Sequence, residues 1–408
     1  MNILVLNSGS SSIKYNLWEM NEKKLLCKGL VEKIGMDDSS VTFSVNDKKK
    51  TIQKVITDYN EGIELILDII TDKEDGVLKN IKEIDAVGHR IVHGGEKIIQ
   101  SELVTPEIKK IIDECALLAP LHNPHNLEGI VEIEKVLPGV PNVAVFDTAF
   151  HSTMPPESFI YPLPYEFYEK HKIRRYGFHG TSHKYVSLRG AELLKIWHNK
   201  FNCITCHFGN GASIAAIKNG ISVDTTMGFT PLAGLPMGTR TGNIDPSIIL
   251  YMIQELGYTP EEVSDIINKK SGFLGISGIS SDMREIREAA TKGDEKAILT
   301  LKIFSHSAKR SITAMTPELD GRLDAIIFTG GIGENSPITR EMICQGLSII
   351  GAYLDVDKNN SLRGEGIISK DDSPVKIMLI PTNEELMIAL ETQKLVGESV
   401  YKFNCTDK

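Results

Sequence analysis

The chain is short of the features that would place it in a membrane, in an oxidising compartment or on nucleic acid. None of its 408 residues fall in an apolar run approaching the roughly 18 that a spanning helix requires. Its first residues read as a strand and lack the basic start and small-residue cleavage site of a signal peptide, so a cytoplasmic protein without a membrane partner is expected. Basic charge is in deficit: 45 Lys and Arg stand against 54 Asp and Glu, a net −9, which argues against a nucleic-acid partner. Six cysteines (Cys27, Cys115, Cys203, Cys206, Cys344 and Cys405) are spread too thinly for a disulfide framework. Cys203 and Cys206 form a C-x-x-C inside "NCITCHFG", but no second pair completes a zinc site, and the segment reads as a strand with buried thiols. The Walker motif G-x-x-x-x-G-K-[ST] is also missing, which excludes a P-loop enzyme.

What the chain does have is alternation of strands and helices. Residues 1–50 read as strands: "NILVL", "SIKYNLW", "LLCKGLVEKI" and "SVTFSV", the last with apolar residues at every second position. "EGIELILDIITD" has helical spacing, with Ile63, Ile66 and Ile70 on one face. "TPEIKKIIDECALLAP" opens on a threonine start signal and "NPHNLEGIVEIEKVL" makes a second helix. "EIDAVGHRIVHGG" and "NVAVFDTAF" are buried strands, the second delivering Asp147 at its end. Such a chain builds α/β sheets of mixed strand direction, and its length favours two domains.

Between the first two strands lies "NSGSSS" (7–12), followed by Lys14. Small residues there serve either as hairpin punctuation or as a phosphate cradle, in which backbone N–H groups approach an anion and lysine adds charge. The arrangement recurs in "FNCITCHFGNGASIAAIKNGISVDTT": aligning Gly9 with Gly209 brings Ser12 near Ser213, either because hairpins look alike or because the domain is duplicated. A long irregular loop, "MGFTPLAGLPMGTRTGNIDP" (227–246), carries Arg240 between small residues. Arg90 sits among Gly and His, a setting suited to bidentate recognition of carboxylate or phosphate. "IIFTGGIGENSPITR" (326–340) is a strand and Gly-rich turn leading into a helix. Glu384 opens the last helix, where it either complements the helix dipole or holds a cation. These are the parts phosphoryl transfer needs: a phosphate cradle, carboxylates for a metal, and cations on the transferring group.

Nine segments, in order, carry a specific resemblance: "NSGSSSIKY", "GHRIVHGG", "LAPLHNP", "FDTAFH", "RRYGFHGTSH", "HFGNGAS", "DTTMGFTPLAGLPMGTRTGNIDP", "FTGGIGENS" and "PTNEEL". Over nearly its whole length the chain resembles the acetate kinase family, short-chain carboxylate kinases of the superfamily that also holds sugar kinases, heat-shock chaperone ATPases and actin. The resemblance implies an α/β fold of two duplicated actin-like, ribonuclease H-like domains, residues 1–150 with 385–408 and residues 151–384, and an active-site cleft between them. It implies reversible Mg²⁺-dependent transfer of the ATP γ-phosphoryl group to acetate, with Mn²⁺ as a substitute metal, in a homodimer. Propionate or butyrate kinases are the related alternatives. A conformational ATPase of the actin or chaperone kind is the alternative of another class, and the twenty or so residues after Glu384 leave no room for its substrate-binding domain.

Residue by residue, the resemblance assigns Asn7 and Glu384 to the metal and Lys14 to the nucleotide phosphates, toward which the hairpin's converging donors also direct Ser10 and Ser12. Arg90 and Arg240 hold the carboxylate and phosphoryl group, while His179 stabilises transition-state charge with Arg240. Asp147 is the family's acidic residue; because acetate is already ionised at neutral pH, orienting Arg90 or a metal-bound water suits it better than proton transfer. The nucleotide falls to His207, Phe208, Gly209, Asn210 and Gly211, to Asp282, Met283 and Arg284, and to Gly331, Ile332, Gly333, Glu334 and Asn335. Val92, Leu121 and Pro231 match the pocket for the acyl methyl. The departures from the family pattern, among them Phe208, Ala233, Pro236, Thr241 and Asn243, remove none of these groups.

Overall fold

The computed structural model describes residues 1–45 and 48–406, and the side chain of Cys405 lies outside the described set. The chain forms two compact units, Met1–Phe150 with Asn383–Lys408, and His151–Thr382. Among the described residues no helix is long and apolar enough to cross a membrane.

In the first unit β1 (Asn2–Gly9), β2 (Ser12–Glu19), β3 (Lys24–Glu32), β4 (Ser40–Val45), β5 (Lys48–Gln53), β6 (Ala86–Ile91), β7 (Glu102–Leu103) and β8 (Asn142–Phe146) form one sheet in the order β5-β4-β3-β2-β1-β6-β8-β7. β1, β6 and β8 run parallel, and the apolar runs at their centres are covered on both faces, as parallel strands require. β4 keeps the alternation of a half-buried strand. β5, whose "KKKTIQ" is exposed throughout, carries no such signal and was not foreseen from the sequence.

One face of this sheet packs Leu4, Leu6, Ile13, Tyr15 and Leu17 against the helices Tyr59–Ile70 and Asn123–Val136. Ile63, Ile66 and Ile70 are all buried there. The other face packs Ile3, Val5, Trp18, Ala86 and Val143 against Ile388 and Ala389 of the helix Glu384–Thr406. That helix approaches so closely that a Cβ on Gly88 would lie 2.5 Å from Thr392 Oγ1, so position 88 of β6 has to be glycine.

The second unit repeats the plan. β9 (Cys203–Phe208), β10 (Ala212–Lys218), β11 (Ile221–Thr225), β12 (Ala325–Thr329), β13 (Gly366–Ile367) and β14 (Lys376–Leu379) order as β11-β10-β9-β12-β14-β13. Counted in chain order, the five core strands of each sheet run third, second, first, fourth, fifth: a three-stranded antiparallel meander followed by two parallel additions. Each sheet is finished by a two-residue antiparallel strand, β7 or β13. The α/β class and its actin-like duplication are therefore as the sequence led us to expect. Cys203 and Cys206, three apart on β9, point to opposite faces and are buried, so they cannot share a metal; burial pushes both thiols up.

Candidate active site

Parallel pairing of β6 with β8 sets Ile91 opposite Phe146, so the residues that leave the two strands lie side by side. Asp147 N–H donates to Ile91 O at 2.9 Å, fixing the turn after β8. The Asp147 carboxylate, only 2% exposed, takes Arg90 Nη2–H at 2.6 Å and Nε–H at 3.4 Å. Arg90 Nη1 reaches Asn7 Oδ1 at 3.4 Å. Asp147 raises the Arg90 pKa, more than burial lowers it.

Glu384 stands at the start of its helix among Arg90, Asp147, Glu385 and Lys14, and Lys14 is itself ion-paired with Glu385. Three carboxylates thus meet two cations. The excess shows at Glu384, whose carboxyl is pushed up to about 7 by burial, against the pull of Arg90 and with the help of Asp147 and Glu385. Of the other predicted residues in this unit, Ser10 is exposed on the β1–β2 turn, Ser12 pairs with Gly9, Val92 is buried, and Leu121 is 70% exposed.

Two asparagines that sequence reasoning passed over tie this region together. Asn126 Nδ2 donates to Ser8 O at 2.7 Å, and its Oδ1 accepts from Val92 N at 3.1 Å. Asn123 accepts from His93 N and donates to His93 O and Ile112 O. Their only signal was position in "LHNPHN", where asparagine twice stands on a helix otherwise rich in apolar residues.

In the second unit His179 precedes the helix Gly180–Leu193 with φ 60°, a left-handed conformation that is costly for histidine and concentrated at working sites. Its Nδ1 lies 2.9 Å from Ser213 Oγ; the same oxygen lies 2.7 Å from His183 Nε2, and His183 Nδ1 lies 2.7 Å from Thr205 Oγ1. Burial first, then His151 and His207, hold His183 well below the usual histidine range, so this chain is built on a neutral ring. The His207 ring stacks on His179 at 4.3 Å and is held through Ser182 Oγ at 2.8 Å, with Thr382 beyond.

Arg240 Nη1 donates to Pro231 O at 3.2 Å, and no carboxylate among the described residues pairs with it; burial lowers its pKa. A Cβ at Gly211 would lie 3.3 Å from His179 Nε2 and 3.6 Å from Arg240 Nη1, so both polar groups border the β9–β10 turn. Gly238 N–H donates to Asn210 O, and a Cβ at Gly238 would collide with Asn210 Oδ1; this contact laces the Arg240 loop onto the same turn.

All three segments assigned to the nucleotide border one cavity of about 730 Å³, through Gly209, Asn210, Asp282, Met283, Gly331 and Asn335 among others. Asp282 caps the helix Met283–Thr291 and pairs with Arg284. Five of the predicted residues do not border this cavity: His207 and Gly211 adjoin His179 instead, and three more lie deeper. Phe208 packs into the core on Phe304 and Phe328, Gly333 is buried, and the Glu334 carboxylate accepts from Gly330 N and Thr382 N. Arg340, unremarked in the sequence, is fully buried and donates to Gly333 O, Glu334 O and Asn359, which shapes the glycine turn.

Duplicated actin-like sheets, with arginine and histidine at the strand ends and a glycine-bordered cavity, define a phosphotransferase. The sequence profile of the Acetokinase family matches residues 2–390, and the chain belongs to that family, whose acceptor is a carboxyl group. An acetate kinase of Caldanaerobacter subterraneus subsp. tengcongensis is 56% identical over 398 residues, spanning 97% of this chain and 99% of the relative. The crystal structure of the Porphyromonas gingivalis acetate kinase matches with a TM-score of 0.93 at 46% identity, over 97% of this chain and 99% of that one. A propionate kinase of Francisella tularensis matches at 0.90 and 44% identity, over 96% and 99% of the two chains.

Proposed function

We propose that this chain is an acetate kinase of the cytoplasm, reversibly transferring the γ-phosphoryl group of ATP to acetate. The observation that carries the reading is Arg240: a cation sunk beside His179, given no carboxylate by the described protein, awaits an anionic substrate. An acetate oxygen forms a bond to Pγ as the bond from Pγ to the bridging oxygen breaks in line. The electron pair stays with that oxygen on ADP, so no proton moves.

Arg90, oriented by Asp147, binds the carboxylate. Val92, Leu121 and Pro231 are assigned to the methyl group. His179 Nε2 donates to equatorial oxygens whose charge Arg240 neutralises, with the Ser213–His183–Thr205 chain holding the ring through Nδ1. ATP lies along the cavity bordered by residues 209–210, 282–284, 331–332 and 335, with Ser10, Ser12 and Lys14 assigned to its phosphates. The Asn7 amide oxygen and the carboxylate excess at Glu384 fit a hard divalent ion that keeps much of its water. Mg²⁺, or Mn²⁺ in its place, would there neutralise charge on the β- and γ-phosphate oxygens.

The second copy in the expected homodimer covers the helix Pro246–Gln254. None of its residues is buried, although Ile248, Leu250 and Tyr251 are large and apolar.

Incubation with MgATP, hydroxylamine and a panel of acids tests the function by trapping acyl phosphate as hydroxamate. Acetate should give the highest kcat/KM, with propionate about tenfold lower, in keeping with the small discrimination one methylene allows. Absence of acetohydroxamate, or a preference for butyrate, overturns the reading.

A further inference from the structure

The helix Glu384–Thr406 covers only part of its sheet face. Beyond it, above β2, β3 and β4, the same face is hollowed into a cavity of about 600 Å³. On its floor Asn16 and Trp18, two residues apart on one face of β2, are 6% and 5% exposed. Yet Asn16 Oδ1 and Trp18 Nε1 have no hydrogen-bond partner among the described residues. Buried polar groups are rarely left so, because an unpaired group retains its full desolvation cost. Here an acceptor lacking a donor adjoins a donor lacking an acceptor.

Charge points the same way. Lys28 and Lys49 line the cavity without an ion-pair partner among the described residues, and the remaining cation, Lys14, is taken by Glu385 at the rim. Leu25 and Leu30 supply apolar wall. An anion that accepts from Trp18 Nε1, donates to Asn16 Oδ1 and carries an apolar tail would meet all of these features at once.

We propose that this cavity is a binding site for a 2-hydroxycarboxylate with a branched or aromatic tail, separate from the site of phosphoryl transfer. The carboxylate is drawn to Lys28 and Lys49 and takes the indole N–H, the hydroxyl donates to Asn16, and the tail lies on Leu25 and Leu30.

The chain's two tryptophans make binding readable. Trp197 is 79% exposed and Trp18 is in the cavity, so Trp197→Phe leaves Trp18 as the reporter. Titration with 3-phenyllactate should change Trp18 emission saturably. 3-Phenylpropionate, which lacks the hydroxyl, should bind at least tenfold more weakly. Asn16→Leu keeps volume while removing the unpaired acceptor, so it should melt no lower than the parent and lose binding at least tenfold; Thr42→Phe should do the same by filling the cavity. The proposal is overturned by no saturable change at millimolar 3-phenyllactate, by equal binding of 3-phenylpropionate, or by binding that survives both variants. Competition by MgATP or acetate would also sink it, as would a soaked crystal with only ordered water on Asn16 and Trp18.

Discussion

Asp147 Oδ2 stands 2.6 Å from Arg90 Nη2 while Oδ1 faces Nε, so the acid occupies one edge of the guanidinium and leaves the other toward Asn7. A carboxylate so engaged orients an arginine better than it shuttles a proton. Asp147→Asn preserves shape and removes charge. Acetate KM should rise and kcat fall, together costing about 100-fold in kcat/KM, the scale of a broken buried ion pair at a reacting centre. Steady-state kinetics across pH decides the role: if Asp147 transfers a proton, the asparagine variant loses one limb of the pH profile, whereas an orienting Asp147 leaves the profile's shape intact.

Glu384 gives a pH-dependent signature in both metal use and stability. Its carboxyl is raised from an ordinary 4.5 to about 7 in the folded chain. The folded state therefore binds the proton more tightly than the unfolded one. That stabilisation is complete below pH 4.5 and is lost as pH climbs through about 7. Metal-free Glu384→Gln, neutral throughout, should consequently gain in melting temperature relative to the parent between pH 5 and pH 8. The parent's apparent affinity for Mg²⁺ should improve over the same interval as the proton leaves. A melting-temperature difference that is flat with pH would show that Glu384 titrates as an ordinary surface acid.

The hydrogen-bond chain behind His179 yields a graded series. Ser213→Ala removes the oxygen shared by His179 and His183. Turnover should drop about tenfold with little change in either KM, because only the orientation of a transition-state donor is loosened. His179→Ala, which deletes the donor, should cost about 100- to 1,000-fold. Thr205→Val, one bond further out, should cost less than Ser213→Ala. Equal losses at all three positions would mean that the chain supports the fold and not the histidine.

How much of this was legible in the sequence depends on the range of the physics involved. The β1–β2 and β9–β10 hairpins could be read because alternation and small-residue turns are local, and aligning Gly9 with Gly209 raised the duplication that the strand order of the two sheets decides. Asp147 was visible because it ends an apolar strand. Ser213 bridging two histidines, Asn126 donating to the Ser8 carbonyl across 118 positions, and Arg340 gripping Asn359 are contacts between groups apart in the sequence; no local period encodes them. β5 was missed for the opposite reason: an exposed edge of lysines has no buried face to impose alternation.

The helix Pro246–Gln254 makes the quaternary prediction. Ile248 and Tyr251 are 46% and 57% exposed, a helical neighbour pair three residues apart, and Leu256 and Tyr258 continue the patch past the helix end. Asp245 caps the helix by accepting from Ser247 N, so its conformation does not depend on anything packed over the patch. Charged substitutions should therefore abolish association without unfolding the chain. Light scattering should give twice the chain mass for the parent and the chain mass for the double variant Ile248→Glu, Tyr251→Glu, with circular dichroism unchanged. A parent that is already monomeric at micromolar concentration, or a double variant that stays dimeric, would assign the exposed patch to something other than a second copy.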